Sequence, residues 1–113
     1  MNGHTKGSLH YSQRALRDLD DIWEYILLEL SNPEAAARTV GDIMDAIDNL
    51  MDFPRMGAPL SSIVDTESDY RFLVTGNYMT FYRLEGKEIY VERVLYGRGD
   101  YLHVLFWEDG NMA

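Results

Sequence analysis

Apolar residues recur along residues 12–30 at Leu16, Leu19, Ile22, Trp23, Ile26, Leu27 and Leu30. Spacings of three and four place them on one stripe of a helix. Ser12 stands where an N-cap belongs, its hydroxyl able to accept an amide hydrogen of the first turn. Neither Gly nor Pro interrupts the stretch. Ser31-Asn32-Pro33-Glu34 closes this helix and opens another: Asn32 caps, Pro33 suits the first helical position and Glu34 complements the positive end of the dipole. The second stripe is Ala36, Val40, Ile43, Met44, Ile47, Leu50 and Met51. It ends at Phe53-Pro54, because the residue before proline is pushed out of the helical region. So short a connection between two amphipathic helices predicts an antiparallel helix hairpin.

From Tyr70 the pattern changes to strands rich in Tyr, Phe, Val, Ile and Thr, over residues 70–75, 78–85 and 88–96. Gly76-Asn77 and Gly86-Lys87 fit two-residue hairpin turns with glycine first, as a type II′ turn requires. Residues 8–11 are a first short strand. Residues 54–69, with two prolines and a glycine, form a loop with a helical turn near 60–64; its length marks a functional segment. Residues 100–107 (DYLHVLFW) read either as one helical turn or as an edge strand. The expected fold is α+β in the order β-α-α-β-β-β, the helix hairpin packed on an antiparallel sheet.

Two-residue turns pair Thr75 with Tyr78 and Glu85 with Glu88. One sheet face then carries Arg71, Leu73, Thr80, Tyr82, Val91, Arg93 and Leu95. The other carries Phe72, Val74, Met79, Phe81, Arg83, Tyr90, Glu92 and Val94, is the more apolar, and is expected under the helices. The first face, mixing arginine, hydroxyl and aliphatic groups, is then the working face. A single slip in either turn would flip a strand and reverse this assignment.

The 113 residues suit one domain, assigned to 8–107, with 1–7 as a disordered lead or tag remnant and 108–113 as a flexible tail. With no cysteine, disulfides, thiol nucleophiles and thiolate metal sites are excluded. No apolar run reaches the roughly 18 residues that span a bilayer, and residues 1–8 lack the apolar core of a secretory signal; the chain is expected in the cytoplasm, away from membranes. Net charge is −9 and uneven: residues 14–52 hold ten acids and three bases, residues 53–107 seven and six. A basic footprint for nucleic acid is missing, so direct specific DNA binding by this chain alone is not expected.

The chain lacks a phosphate-binding glycine loop, a nucleophile elbow and a histidine pair at metal spacing. Asp18, Asp20, Asp21 and Glu24 spread around the first helix as a solvated face, and Asp42, Asp45 and Asp48 along one edge of the second. No metal or cofactor is expected. Arg71, Arg93 and Arg98 deserve more weight, standing beside Tyr82, Tyr96 and Tyr101. Guanidinium forks match phosphate or carboxylate. Metal-free RNA cleavage would need cations on the phosphate, which arginine supplies, and an acid for the leaving oxygen, Tyr101 or His103. A convincing base is missing. The plainer reading pairs Arg83 with Glu92 and lays the stem of Arg93 on the sheet.

The opening LHYSQRALRDLDDIWEYI, then FPRMGAPL, then YRFLVTGNYMTFYRLEGKEIYVERVLYGRGDYL resemble the RelE/ParE family of bacterial toxins from type II toxin–antitoxin systems, over about residues 8–105. The last segment is the most specific. The resemblance implies the β-α-α-β-β-β fold and a cognate antitoxin that wraps the toxin, laying a helix on the hairpin or adding to the sheet. Two activities are implied for the family: cleavage of mRNA on the ribosome, or poisoning of DNA gyrase without a nuclease site. The PRMGAPL loop and the RVLYGR-x-D ending look more like the gyrase-binding ParE branch. Where nuclease members tend to carry an arginine, this chain has Leu73 or Val74. The expected toxin therefore binds its target or its antitoxin through Arg71, Tyr82, Arg93, Tyr96, Arg98 and Tyr101. The alternatives are a ribosome-dependent endoribonuclease using Arg71, Arg93, Arg98, Tyr101 and His103, or a relative that has lost activity.

Overall fold

The computed structural model describes residues 7–65 and 67–108, the side chain of Glu108 excepted. The expected N-terminal lead and C-terminal tail lie outside the described residues except at Gly7 and Glu108. Gly7 already bonds to the body of the fold, its N–H donating to the Met51 carbonyl at 3.4 Å.

The capping residues act as their positions imply. Ser12 Oγ accepts the Ala15 N–H at 2.9 Å and α1 runs Gln13–Glu29. Ser31, at φ 49°, takes the left-handed position beyond the helix end that glycine usually fills. Asn32 Oδ1 accepts the Ala35 N–H at 3.0 Å, and Pro33 opens α2, Pro33–Asp48. The first strand, β1, is Ser8–Tyr11. The meander is β3, Arg71–Thr75, β4, Tyr78–Glu85, and β5, Glu88–Tyr96. In both of its turns glycine alone takes positive φ, 60° at Gly76 and 61° at Gly86, as a type II′ turn requires.

The loop after α2 holds a two-residue edge strand the sequence pattern did not suggest, β2, Ala58–Pro59, followed by a 3-10 turn, Leu60–Ser62, where a helical turn was expected. Proline is tolerated there because β2 is an edge. Of the two readings of the C-terminal segment, the helical one holds: α3, Tyr101–His103, runs into a π-helical stretch, Val104–Glu108. The five strands lie in the order β1-β5-β4-β3-β2, with β1 parallel to β5 and the other pairs antiparallel.

The sheet has a hydrophobic cluster on each side. Ala15, Leu19, Ile22 and Ile26 of α1 and Ile43 and Ile47 of α2 pack on Leu73, Tyr82, Ile89, Val91 and Val94. Met79 and Phe81 pack instead with Leu60 and Leu105. The helices thus cover the face carrying Leu73, Tyr82 and Val91, which corrects the expected assignment. The more apolar face is covered by the chain's own C-terminal segment, and the face read as a working surface is largely core.

A β-bulge adds to the reversal. Tyr82 pairs with Val91 but Phe81 pairs with Arg93, leaving Glu92 as the extra residue. Beyond it the alternation of β5 shifts by one, so Val94 joins the helix side and Leu95 the other. Ser12 secures the bulge: its N–H donates to the Val91 carbonyl at 2.9 Å and its hydroxyl to the Glu92 carbonyl at 2.8 Å.

Candidate functional site

Arg93 follows the bulge and turns into the interior, where it is 5% exposed. Its Nε and Nη2 donate to Oδ2 and Oδ1 of Asp18 at 2.8 and 3.0 Å. The Val94 N–H donates to the same Oδ2 at 2.9 Å. Asp18, expected on a solvated face, is therefore buried and paired. The signal was present in the sequence: position 18 lies three residues after Ala15 and four before Ile22, on the buried side of α1.

Arg71 and Tyr82 serve a different element. Arg71 Nε and Nη2 donate to the Gly57 carbonyl at 3.0 and 2.7 Å, and Nη2 also to the Arg55 carbonyl at 3.2 Å. The fully buried Tyr82 donates its hydroxyl to the Pro54 carbonyl at 2.8 Å and accepts the Gly57 N–H at 3.0 Å. Gly57 has no room for a side chain, since a Cβ would lie 2.6 Å from both the Phe72 carbonyl oxygen and Tyr82 Oη. Arg83 pairs with Glu92 at 2.9 Å, as expected, and also with Glu85.

The other expected residues lie at or near the surface. Tyr96 is exposed and meets Tyr78 edge-on, ring centroids 5.9 Å apart. Arg98 is exposed in the turn after β5; the Gly97 N–H donates to the Asn77 carbonyl at 2.7 Å, and the Gly99 N–H to the Tyr96 carbonyl at 3.2 Å. Tyr101 stacks on Phe81, centroids 5.6 Å apart. The exposed His103 is held by its N–H on Asp100 Oδ1. Arg98 thus stays exposed in the turn two residues after Tyr96, whereas Arg71 and Arg93 are committed to separate partners.

A groove of about 670 Å³ opens between the ends of the helix hairpin and the sheet, lined by Ile22, Tyr25, Ile26 and Leu30 on one side and Tyr78, Val94 and Tyr96 on the other. Burial, with Tyr25 and Tyr96 adding, raises the Tyr78 phenol above its ordinary value. Tyr25 and Tyr78 were not singled out by sequence: Tyr25 lies off the apolar stripe of its helix, and the Tyr78–Tyr96 pairing depends on the bulge. Among the described residues no three His, Asp or Glu come together as a metal site, and no helix is long and apolar enough to cross a membrane.

Residues 9–101 match the family model of the ParE toxin of type II toxin–antitoxin systems. The chain is 33% identical to toxin ParE1 of Caulobacter vibrioides over 85 residues, 75% of this chain and 83% of that protein. It is 45% identical to a Sinorhizobium fredii protein provisionally named toxin Y4kP over 51 residues, 45% of this chain and 51% of that one. The chromosomal ParDE system of P. aeruginosa superposes with a TM-score of 0.67 at 29% identity, covering 80% of this chain and 96% of that one. RelBE2 of Mycobacterium tuberculosis shares the fold, with a TM-score of 0.59 at 18% identity over 80% of this chain and 98% of that one. The chain belongs to the ParE toxin family of type II toxin–antitoxin systems.

Proposed function

We propose that this toxin acts by binding a protein target, DNA gyrase, rather than by cleaving RNA, and that a cognate antitoxin neutralises it. The observation that carries the reading is the commitment of Arg71 and Arg93. A nuclease needs cations free to meet a phosphate in the transition state. Arg71 holds the carbonyls of Gly57 and Arg55, and Arg93 is buried against Asp18. Releasing Arg93 would leave a buried carboxylate unpaired, and releasing Arg71 would untie the 55–57 backbone. Tyr96, Arg98 and Tyr101 are the expected residues that would meet a partner; Arg71, Tyr82 and Arg93 would act from within by shaping the fold.

The antitoxin's place in this reading is the groove between the helix hairpin and the sheet. An amphipathic segment laid there would cover Tyr25, Leu30, Tyr78 and Tyr96, a mode in which an apolar helix face fills a groove. The likeness to the ParDE system of P. aeruginosa supports such a partner. The test is DNA supercoiling by purified gyrase in the presence of the purified toxin, beside mRNA cleavage on translating ribosomes. Inhibited supercoiling with intact mRNA is the expected result. Cut mRNA with unaffected supercoiling would overturn the reading.

A further inference from the structure

Residues 53–57 (FPRMG) form a loop whose backbone is tied from beneath while its large side chains face water. Tyr82 and Arg71 together make five hydrogen bonds to the backbone of residues 54, 55 and 57. Above them Phe53 is 66% exposed and Met56 47%. With Pro54 and Arg55 they flank a shallow notch of about 460 Å³. The Arg55 guanidinium makes no ion pair among the described residues. The buried Tyr82 and the half-buried Arg71 thus use their polar groups to hold a loop that presents an aromatic and a thioether side chain to solvent.

We propose that this loop docks on the toxin's protein target, seating an apolar side chain of that target between Phe53 and Met56 and a carboxylate against Arg55. The inference rests on the reading that the toxin acts by binding. A loop already fixed in one shape loses little conformational entropy on association, so it suits a folded partner with a preformed surface. A segment that folds on binding fits better in the groove, which shares no residue with the loop. The exposed Arg55 gives a single carboxylate of the folded partner a local counter-charge, whereas the polyanionic backbone of nucleic acid would be repelled by a chain of net charge −9.

The test compares wild type, Phe53→Ser/Met56→Ser, and the groove variant Tyr25→Ser/Tyr96→Ser. It reads binding to purified DNA gyrase, binding to the purified cognate antitoxin, thermal unfolding, and growth arrest on induction without antitoxin. The loop variant should bind gyrase at least tenfold more weakly, with its Tm and antitoxin affinity kept; the groove variant should show the reverse split. Unchanged gyrase binding by the folded loop variant overturns the inference, and so does loss of antitoxin binding in its place. Should the double substitution unfold the chain, the exposed Arg55→Glu gives the same reading through a loss of tenfold or its absence. If wild type does not bind gyrase, the target reading fails separately. The loop is then judged by growth arrest: arrest abolished by the loop variant sustains docking on another protein, and arrest unchanged, or absent in wild type, overturns it.

Discussion

Arg93 and Asp18, 75 residues apart in the chain, meet between the sheet and α1 through two hydrogen bonds, both side chains almost out of water. The Val94 N–H adds a third bond to the same carboxylate. Removing one partner strands the other charge in the interior. Asp18→Leu and Arg93→Met are each expected to cost about 3–5 kcal/mol. Replacing both with apolar residues of similar size, Asp18→Leu/Arg93→Met, should recover most of that loss, leaving the Val94 N–H to account for the remainder. Urea unfolding of the four proteins in a double-mutant cycle checks it. Additive single effects would mean the pair is not coupled.

Ser12 joins the start of α1 to the bulge of β5. Its hydroxyl accepts from Ala15 and donates to the Glu92 carbonyl. Ser12→Ala is expected to destabilise by about 1–2 kcal/mol, the upper part of the range for a lost cap, because two bonds disappear. Chemical unfolding measures the loss, and Ser12→Thr should restore much of it.

Tyr82→Phe keeps the ring in the core but unties Gly57 and Pro54. The expected cost is about 1–3 kcal/mol for the buried groups left without a partner, with faster hydrogen exchange at the Gly57 amide. Gly57→Ala should also lower the Tm, because its Cβ would overlap the Phe72 carbonyl. Exchange at Gly57 as slow in Tyr82→Phe as in wild type would show that the hydroxyl does not hold the loop.

The buried hydroxyl of Tyr11 has no hydrogen-bond partner among the described residues. Burial, with the charge of Asp48 adding, raises this phenol from 10.0 to about 12. Between those values the unfolded chain gives up the proton and the folded one keeps it. Its contribution to stability is therefore intact below pH 10 and lost as pH rises towards 12. Tyr11→Phe should stabilise the protein by about 1 kcal/mol at neutral pH and soften the alkaline fall in Tm. A scan of Tm from pH 8 to 12 for both proteins checks it.

Local signals in the chain carried far: Ser12 and Asn32 cap the two helices, and Gly76 and Gly86 turn the hairpins where their residue types require. What escaped were the features set by packing between distant segments. Glu92 carries no mark of a bulge, and one extra residue changes the face on which Val94 and Leu95 fall. Leu105 shows its role only once the C-terminal segment is seen closing over Phe81. For the same reason the arginines read as a possible cluster: spacing brings Arg71 and Arg93 to one side, whereas Asp18 and the carbonyls of the 54–57 loop draw them apart.

The most direct test of action by binding is induced expression in a bacterial host without antitoxin, following DNA integrity, translation and transcript length in parallel. The account predicts DNA breaks or altered supercoiling first, while translation continues and transcripts stay whole. Arrest of translation with cut transcripts before any DNA damage would contradict it.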